Sequence, residues 1–217
     1  MIFQIIAPEI QIITPIRDKQ LSRQEEIEYL INKGVEMHWE KAKYSVNKGL
    51  WGTSVGGAET LISEKALPEE AFPSQLKEKE PKQIKLSYTH GELTAINGIE
   101  NEPVQNIEIL EGIASKYAIG RDIHVGDTII GIKGRVGFEA AAALITIKAH
   151  HLLEKHTLSK WQLQHKDYTS NWYGMHLHEG LYLDPVMRDF EALLQSSQFK
   201  VSGDVFVSLK PYHFTLD

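Results

Sequence analysis

The sequence FEAAAALITIKAHHLLEKH, residues 138–156, is the stretch that decides the fold of this 217-residue chain. Its run of four alanines is followed by Leu144, Ile145 and Ile147, so the segment is apolar on nearly every side. A helix that is apolar all round is expected in the interior of a protein. We therefore predict a long, buried central helix over these residues.

The segments around this helix contain both strand and helix patterns. Hairpins are predicted over 83–97, turning at His90-Gly91, and over 201–216, turning at Lys210-Pro211. A further strand is predicted at 127–133, and helices at 103–120, 159–177 and 184–198. Because strands and helices are mixed rather than regularly alternating, residues 43–217 are predicted to form an α+β domain with mixed strands around the central helix.

Residues 1–42 have a different pattern. The segment IQIITPI, residues 10–16, is β-branched and mostly apolar, which is typical of a strand buried on both faces of an α/β sheet. Ser22 is the predicted N-cap of the next helix, with Glu25 in capping-box position and Gly34 at the end. One strand and one helix cannot form an α/β domain, so we predict that this segment is the last piece of one. A lone strand would pair with a second copy, pack irregularly or be poorly ordered.

Composition narrows the class of function. A net charge of −6 argues against a general nucleic-acid binder, whose phosphate contacts need a basic surface. The absence of cysteine excludes disulfides and thiolate chemistry and fits a cytoplasmic location. The apolar start carries Glu9 and two prolines and is too short to span a bilayer, so no membrane partner is predicted.

A glycine-rich segment, YSVNKGLWGTSVGG at residues 44–57, is the first candidate binding site. It contains four glycines and two serines nine residues apart, Ser45 and Ser54. It lacks helical and strand periodicity, so we predict an ordered loop. Such a backbone can approach a small polar ligand closely and direct its amides at an anion. The alternative is a simple connector anchored by Trp51.

A second glycine-rich segment, GIKGRVGFE at residues 131–139, is predicted to turn from a strand into the central helix. Lys133 and Arg135 near a helix N-terminus would suit an anion. The segment matches neither GxxxxGK[ST] nor GxGxxG, and ion pairs with the surplus acidic residues are the alternative.

Histidines on the central helix raise the possibility of a metal site. Four potential ligands lie within two turns: His150, His151, Glu154 and His156. A further set is His176, His178 and Glu179. No HExxH pattern is present, and a catalytic zinc needs three convergent ligands, so we predict caps and ion pairs and no metal. An aromatic set at helical spacing is predicted to pack between helices: Trp161, Trp172, Tyr173 and Phe190.

Several segments, in unbroken order along almost the whole chain, resemble argininosuccinate synthase. They are TPIRDKQLSRQEEIEYL, YSVNKGLWGTSVGG, DTIIGIKGRVGFEAA, AHHLLEKHTLSKWQL, NWYGMHLHEG, LDPVMRDFEALL and GDVFVSLKPYHF. The resemblance is to the part of the family that follows the nucleotide-binding core. It implies that residues 1–42 are the tail end of a nucleotide-binding domain and that residues 43–217 are the synthetase domain.

The resemblance implies a ligase that uses ATP and Mg²⁺ to join citrulline and aspartate, giving argininosuccinate, AMP and pyrophosphate, in a homo-oligomer. The family's SGGLDTS-type loop for ATP and its aspartate-binding segment do not occur in this sequence. The chain is therefore expected to be a fragment that is inactive alone and holds no cofactor. The alternative is a stand-alone amino-acid-binding or assembly module without catalysis.

The resemblance also assigns substrate residues. The family's two citrulline-binding serines correspond to Ser45 and Ser54. The family also commonly uses a Glu just before the strand equivalent to DTIIGIK and a Tyr in its glycine-rich turn. These positions correspond to Gly126 and Phe138, which offer neither a charge nor a phenolic hydroxyl. Asp127 and Glu139, one residue further on in each case, are the expected substitutes. If the family's Glu and Tyr hold the α-ammonium, the substrate here would be a citrulline acylated on that nitrogen.

Overall fold

A computed structural model describes residues 2–36, 44–127 and 133–217 of the chain. The chain divides into two compact units, Met1–Lys43 and Tyr44–Asp217. The described residues form seven α-helices and nine strands, and the strands make two antiparallel sheets. This confirms the predicted α+β class. No helix in the described part of the chain is long and apolar enough to cross a membrane.

The elements have the following bounds. The helices are α1 (Ile2–Ile6), α2 (Pro15–Lys19), α3 (Arg23–Asn32), α4 (Pro103–Ala114), α5 (Ala141–Thr157), α6 (Lys160–His178) and α7 (Val186–Gln198). The strands are β1 (Ser45–Lys48), β2 (Thr53–Gly56), β3 (Lys82–Thr89), β4 (Glu92–Ile96), β5 (Ile99–Glu100), β6 (Arg121–Asp127), β7 (Lys133–Glu139), β8 (Gly203–Lys210) and β9 (His213–Leu216). Short 3₁₀ turns follow β2 and α4 and interrupt the irregular segment before β3.

Helix α5 lies in the core of the larger unit, as predicted, but it is not buried on nearly every side, since Ile147 is exposed. One side of it is fully buried, including Ala142, Ile145 and Ala149. It packs with a five-stranded sheet of order β5-β4-β3-β8-β9 and with α4. The helix begins at Ala141 rather than at Phe138, because Phe138 and Glu139 pair with β2 and β6 at the end of β7.

The two predicted hairpins of this unit and the helices predicted at 103–120, 159–177 and 184–198 are present, although the first of these helices ends at Ala114. The β3–β4 hairpin turns at His90 and Gly91, where both residues have positive φ and glycine is the favoured residue type. Helix α6 begins with a capping box between Ser159 and Gln162. Helix α7 begins at Val186, whose backbone N–H donates to the Asp184 carboxylate.

The strand predicted for residues 10–16 is wrong. These residues are irregular up to Pro15, where α2 begins, and Ile10, Ile12 and Ile13 are exposed. A strand needs a neighbour to hydrogen-bond, and the described residues of this unit form only helices and turns. The helix predicted after it is present as α3, and its capping box pairs Ser22 with Glu25. That these residues belong to a nucleotide-binding domain stays a prediction.

Both glycine-rich segments form strands where other structure was predicted. Residues 44–57 are not a loop but the β1–β2 hairpin, closed by a bond from the Gly49 N–H to the Gly52 carbonyl. From Lys133 onward the second segment is β7, not a turn into a helix. The strand predicted at 127–133 falls mainly on 128–132, outside the described residues. The sequence did not predict β1 as a strand because this strand is exposed at every position and so has no apolar alternation.

Candidate functional site

A four-stranded antiparallel sheet of order β1-β2-β7-β6 carries every residue assigned to the substrate. Residues directly opposite each other in neighbouring antiparallel strands project from the same face. The register makes one row across the sheet: Asn47 opposite Ser54, Ser54 opposite Phe138, and Phe138 opposite Asp122. We call the face of this sheet that carries Ser45 and Ser54 the serine face.

Ser45 and Ser54 are diagonal neighbours on the serine face. Ser45 is opposite Gly56, and Ser54 lies two positions away from Gly56 on the same strand. Residues in this relation are about 7–8 Å apart in an antiparallel pair. Ser45 is exposed and Ser54 partly exposed, so one small molecule can reach both hydroxyls. The structure thus brings the two predicted serines together.

The opposite face of the sheet is covered by the segment 58–74. Val55 and Gly137 are buried there, and any side chain at 137 would overlap Leu67. The Arg135 guanidinium donates to three backbone carbonyls of the covering segment, those of Glu59, Ile62 and Lys65, at 2.6–3.0 Å. Arg135 therefore fastens this segment to the face of the sheet that is opposite the serine face.

Glu139 lies on the covered face. Its side chain is 3% exposed, lies 3.4 Å from Arg121 Nε and accepts a hydrogen bond from the Ser74 N–H at 3.2 Å. Arg121 also binds the Glu69 carboxylate at 2.7 Å and lies over the Phe72 ring. Glu139 is therefore part of a buried ion pair and is not brought together with the serines.

The other residues assigned from the family are spread along β6 and β7. Phe138 is next to Ser54, and its ring reaches the backbone of Gly52. Gly126 is opposite Gly134, four residues along β6 from the position opposite Phe138, or about 13 Å at the usual rise of a strand. Asp127 is on the covered face by register and pairs with Lys133 at 2.5 Å. Of these residues, only Phe138 adjoins the serines.

Two residues of β6 were missed in the sequence, Asp122 and His124. The register places both on the serine face, in the same alternation as Phe138 and Val136 of β7. The signal that could have found them is the period of two within RDIHVGD, once it is recognised as a strand.

A cavity of about 330 Å³ lies between β6, Phe138 and helix α5. Its residues are Gly120, Arg121, Asp122, Ile123, His124, Phe138, Ala140, Ala143, Leu144 and Ile147. One wall is thus apolar and comes from α5, while Asp122 and His124 supply polar groups. This combination suits a ligand that has an aliphatic chain and a charged end.

A second cavity of about 400 Å³ lies on the other side of Ile147 and is bounded by Trp51, Tyr88 and His150. The Tyr88 hydroxyl donates to the Thr146 carbonyl at 3.0 Å, and burial raises the pKa of Tyr88. The Trp51 side chain, from the β1–β2 turn, reaches this cavity, so the hairpin lies near both cavities.

The histidines of α5 surround a buried carboxylate. Glu154 is fully buried, accepts from Lys166 Nζ at 2.7 Å and from Gln198 Nε2 at 2.8 Å, and has His150 and His151 within 4 Å. Burial on its own would raise the pKa of Glu154, but the hydrogen bonds from Lys166 and Gln198 and the charge of His150 together lower it. Glu154 therefore stays ionised in the interior.

One potential metal-ligand group occurs among the described residues: His151, Glu154 and Asp167, whose ligand atoms lie within 4.8 Å of one another. The Lys166 ammonium lies 2.7 Å from Glu154 and 3.5 Å from Asp167. A cation is thus already in contact with both carboxylates, and the arrangement is an ion-pair network between α5 and α6 to which Gln198 of α7 adds a hydrogen bond.

The aromatic set packs only in part. The Tyr173 hydroxyl donates to Glu191 of α7, and Phe190 contacts the His176 ring edge-on. Trp161 and Trp172 are exposed on α6. The predicted packing between helices therefore holds for Tyr173 of α6 and Phe190 of α7.

Comparison with known proteins identifies one family. Residues 44–215 match the sequence model described as Arginosuccinate synthase C-terminal domain. The argininosuccinate synthase of Methanocaldococcus jannaschii is 36% identical over 209 residues, which cover 95% of this chain and 53% of that protein. That of Dictyoglomus turgidum is 35% identical over 213 residues, covering 97% and 54%. That of Sulfolobus acidocaldarius is 30% identical over 204 residues, covering 94% and 52%. The chain spans about half the length of the curated relatives it matches.

Proposed function

The chain belongs to the argininosuccinate synthase family, whose C-terminal domain it contains, and on this premise we propose that its serine face binds citrulline for an ATP-dependent ligation to aspartate. The observation that carries the proposal is the placement of Ser45 and Ser54, which are exposed and partly exposed, as diagonal neighbours on one face of one sheet. Two hydroxyls at that separation can form hydrogen bonds with two polar groups of one small molecule and so fix its orientation.

The reaction explains why a site that binds only citrulline is useful. The ureido carbon of citrulline is a poor electrophile and must be activated. The ureido oxygen therefore first attacks the α-phosphorus of ATP and displaces pyrophosphate. The aspartate amine then attacks the activated carbon, AMP leaves with the ureido oxygen, and the amine loses a proton. Catalysis of this kind depends mainly on positioning and charge stabilisation. In this scheme Ser45 and Ser54 bind and orient citrulline.

We assign ATP, Mg²⁺ and aspartate to the part of the relatives' length that this chain does not span. The four-stranded sheet would then present citrulline to a nucleotide held by other residues. This division predicts that the 217-residue chain alone binds citrulline but does not ligate it.

The test has a binding arm and a reaction arm. Calorimetry should detect citrulline binding to the purified chain. Ornithine is the matched ligand control, because it has the same α-amino acid group but no ureido group. Incubation with ATP, Mg²⁺, citrulline and aspartate should give no AMP. Release of AMP that depends on citrulline would refute the assignment of ATP to other residues, and absence of citrulline binding would refute the serine-face site.

A further inference from the structure

We propose that Asp122 binds the α-ammonium of the substrate and so selects free citrulline over a citrulline acylated on that nitrogen. This inference rests on the proposed function, because it concerns the same serine face. It assigns a specificity-determining role to a residue that the family correspondence does not include.

The first argument is position. Asp122 is opposite Phe138, which is opposite Ser54, so the carboxylate and the serine hydroxyl lie in one row with the phenyl ring between them. Two strand spacings separate their backbones by about 10 Å. A flexible α-amino acid of citrulline's size fits between side chains that extend from both strands, with its methylenes on the Phe138 ring.

The second argument is charge. Ten positions of the four strands alternate onto the serine face: Ser45, Asn47, Ser54, Gly56, Asp122, His124, Gly126, Gly134, Val136 and Phe138. Asp122 is the one carboxylate among them. The two acids expected as substitutes for the family's Glu and Tyr, Asp127 and Glu139, lie on the covered face and are paired with Lys133 and Arg121.

The third argument is availability. Asp122 is exposed and borders the 330 Å³ cavity. Its Oδ1 accepts from the Ile123 N–H at 2.7 Å, which orients the carboxylate and leaves Oδ2 for a ligand. No ion pair joins Asp122 to a cation within residues 2–36, 44–127 and 133–217. A bound ammonium would form a charge-assisted hydrogen bond with this carboxylate beside the apolar wall of the cavity.

The experiment compares citrulline with N-acetylcitrulline, which keeps the carboxylate and the ureido group but has no ammonium. Dissociation constants are measured by calorimetry for the unchanged chain, for Asp122→Asn and for Asp127→Asn. The asparagine at 122 keeps the shape of the side chain and removes its charge. Asp127→Asn removes an acid of the same strand from the opposite face and is the matched control.

We expect Asp122→Asn to weaken citrulline binding about five- to tenfold, since an exposed carboxylate is partly screened. Binding of N-acetylcitrulline should be weaker than that of citrulline in the unchanged chain and insensitive to Asp122→Asn. Asp127→Asn should leave both ligands unaffected. Equal citrulline affinity in the Asp122→Asn variant, or N-acetylcitrulline binding as tight as citrulline, would overturn the role of Asp122 alone. A chain that binds neither ligand would overturn the proposed function as well.

Discussion

Replacing Glu154 by glutamine tests how the three C-terminal helices are held to the core. The carboxylate is fully buried on α5, and its Oε2 accepts from Lys166 of α6 while its Oε1 accepts from Gln198 of α7. A glutamine of the same size can keep the bond from Gln198. Its amide NH₂ then faces the Lys166 ammonium, so a donor meets a donor and the lysine loses its partner.

The cost follows from the burial of the lysine. Removing one member of a buried ion pair typically costs about 3–5 kcal/mol, because the other charge is left uncompensated. Lys166 is 14% exposed and keeps Asp167 at 3.5 Å, which places Glu154→Gln at the lower end, about 3 kcal/mol. For a chain of this length that corresponds to a fall in Tm of about 6–12 °C.

The effect should depend on pH in a defined direction. The pKa of Glu154 is lower in the folded chain than its ordinary value, so the carboxylate stabilises the fold above the unfolded pKa of about 4.3. This stability is lost as the pH falls through the folded pKa. The difference in unfolding free energy between the unchanged chain and Glu154→Gln should therefore shrink as the buffer becomes more acidic than about pH 4.3.

Thermal and urea unfolding at several pH values measure both effects. Asp204→Asn is the control, because Asp204 pairs with Lys85 at 3.0 Å but both side chains are more than one-third exposed. An exposed pair contributes about 0–1 kcal/mol. If Glu154→Gln costs no more than Asp204→Asn, or if its cost grows as the pH falls below about 4.3, the account of a buried, ionised Glu154 is refuted.

Two further predictions concern the serine face and the glycines of the backbone. Ser54→Ala should weaken citrulline binding about five- to tenfold, the loss of one hydrogen bond, whereas Ser170→Ala on α6 should not; equal affinities by calorimetry would remove Ser54 from the site. Gly120→Ala should destabilise the fold by more than about 2 kcal/mol, because φ is +84° and a Cβ would lie 2.6 Å from the Ala140–Ala141 backbone. Gly174→Ala, inside α6 with open space around it, should stabilise by about 0.5–1 kcal/mol; unfolding curves that rank the two glycines otherwise would contradict this.

The sequence predicted most accurately the elements whose signal is local. The alanine-rich run of α5, the capping box at Ser22 and the turn at His90-Gly91 each depend on neighbouring residues, and the structure confirms them. The strand at residues 10–16 failed because β-branched residues favour a strand only where another strand supplies hydrogen bonds.

The serine face also depends on strand pairing that the sequence does not show. The nine-residue spacing of Ser45 and Ser54 marked the segment as a candidate site, but the sequence predicted a loop there. The register of β1 with β2 is what makes the serines neighbours. The register of β6 with β7 likewise puts Asp122 beside Phe138 and turns Glu139 into a buried partner of Arg121.

The order of motifs along the chain was thus enough to establish the family, the α+β class and the central helix, because each of these depends on short stretches of sequence. Which acid shares a face with the serines depends on strand register. In a β-sheet a shift of one residue moves a side chain to the opposite face, so Asp122 and Asp127, only five residues apart on one strand, lie on opposite sides of the sheet. Long-range pairing sets that register, and it is decided when the strands meet in the folded chain.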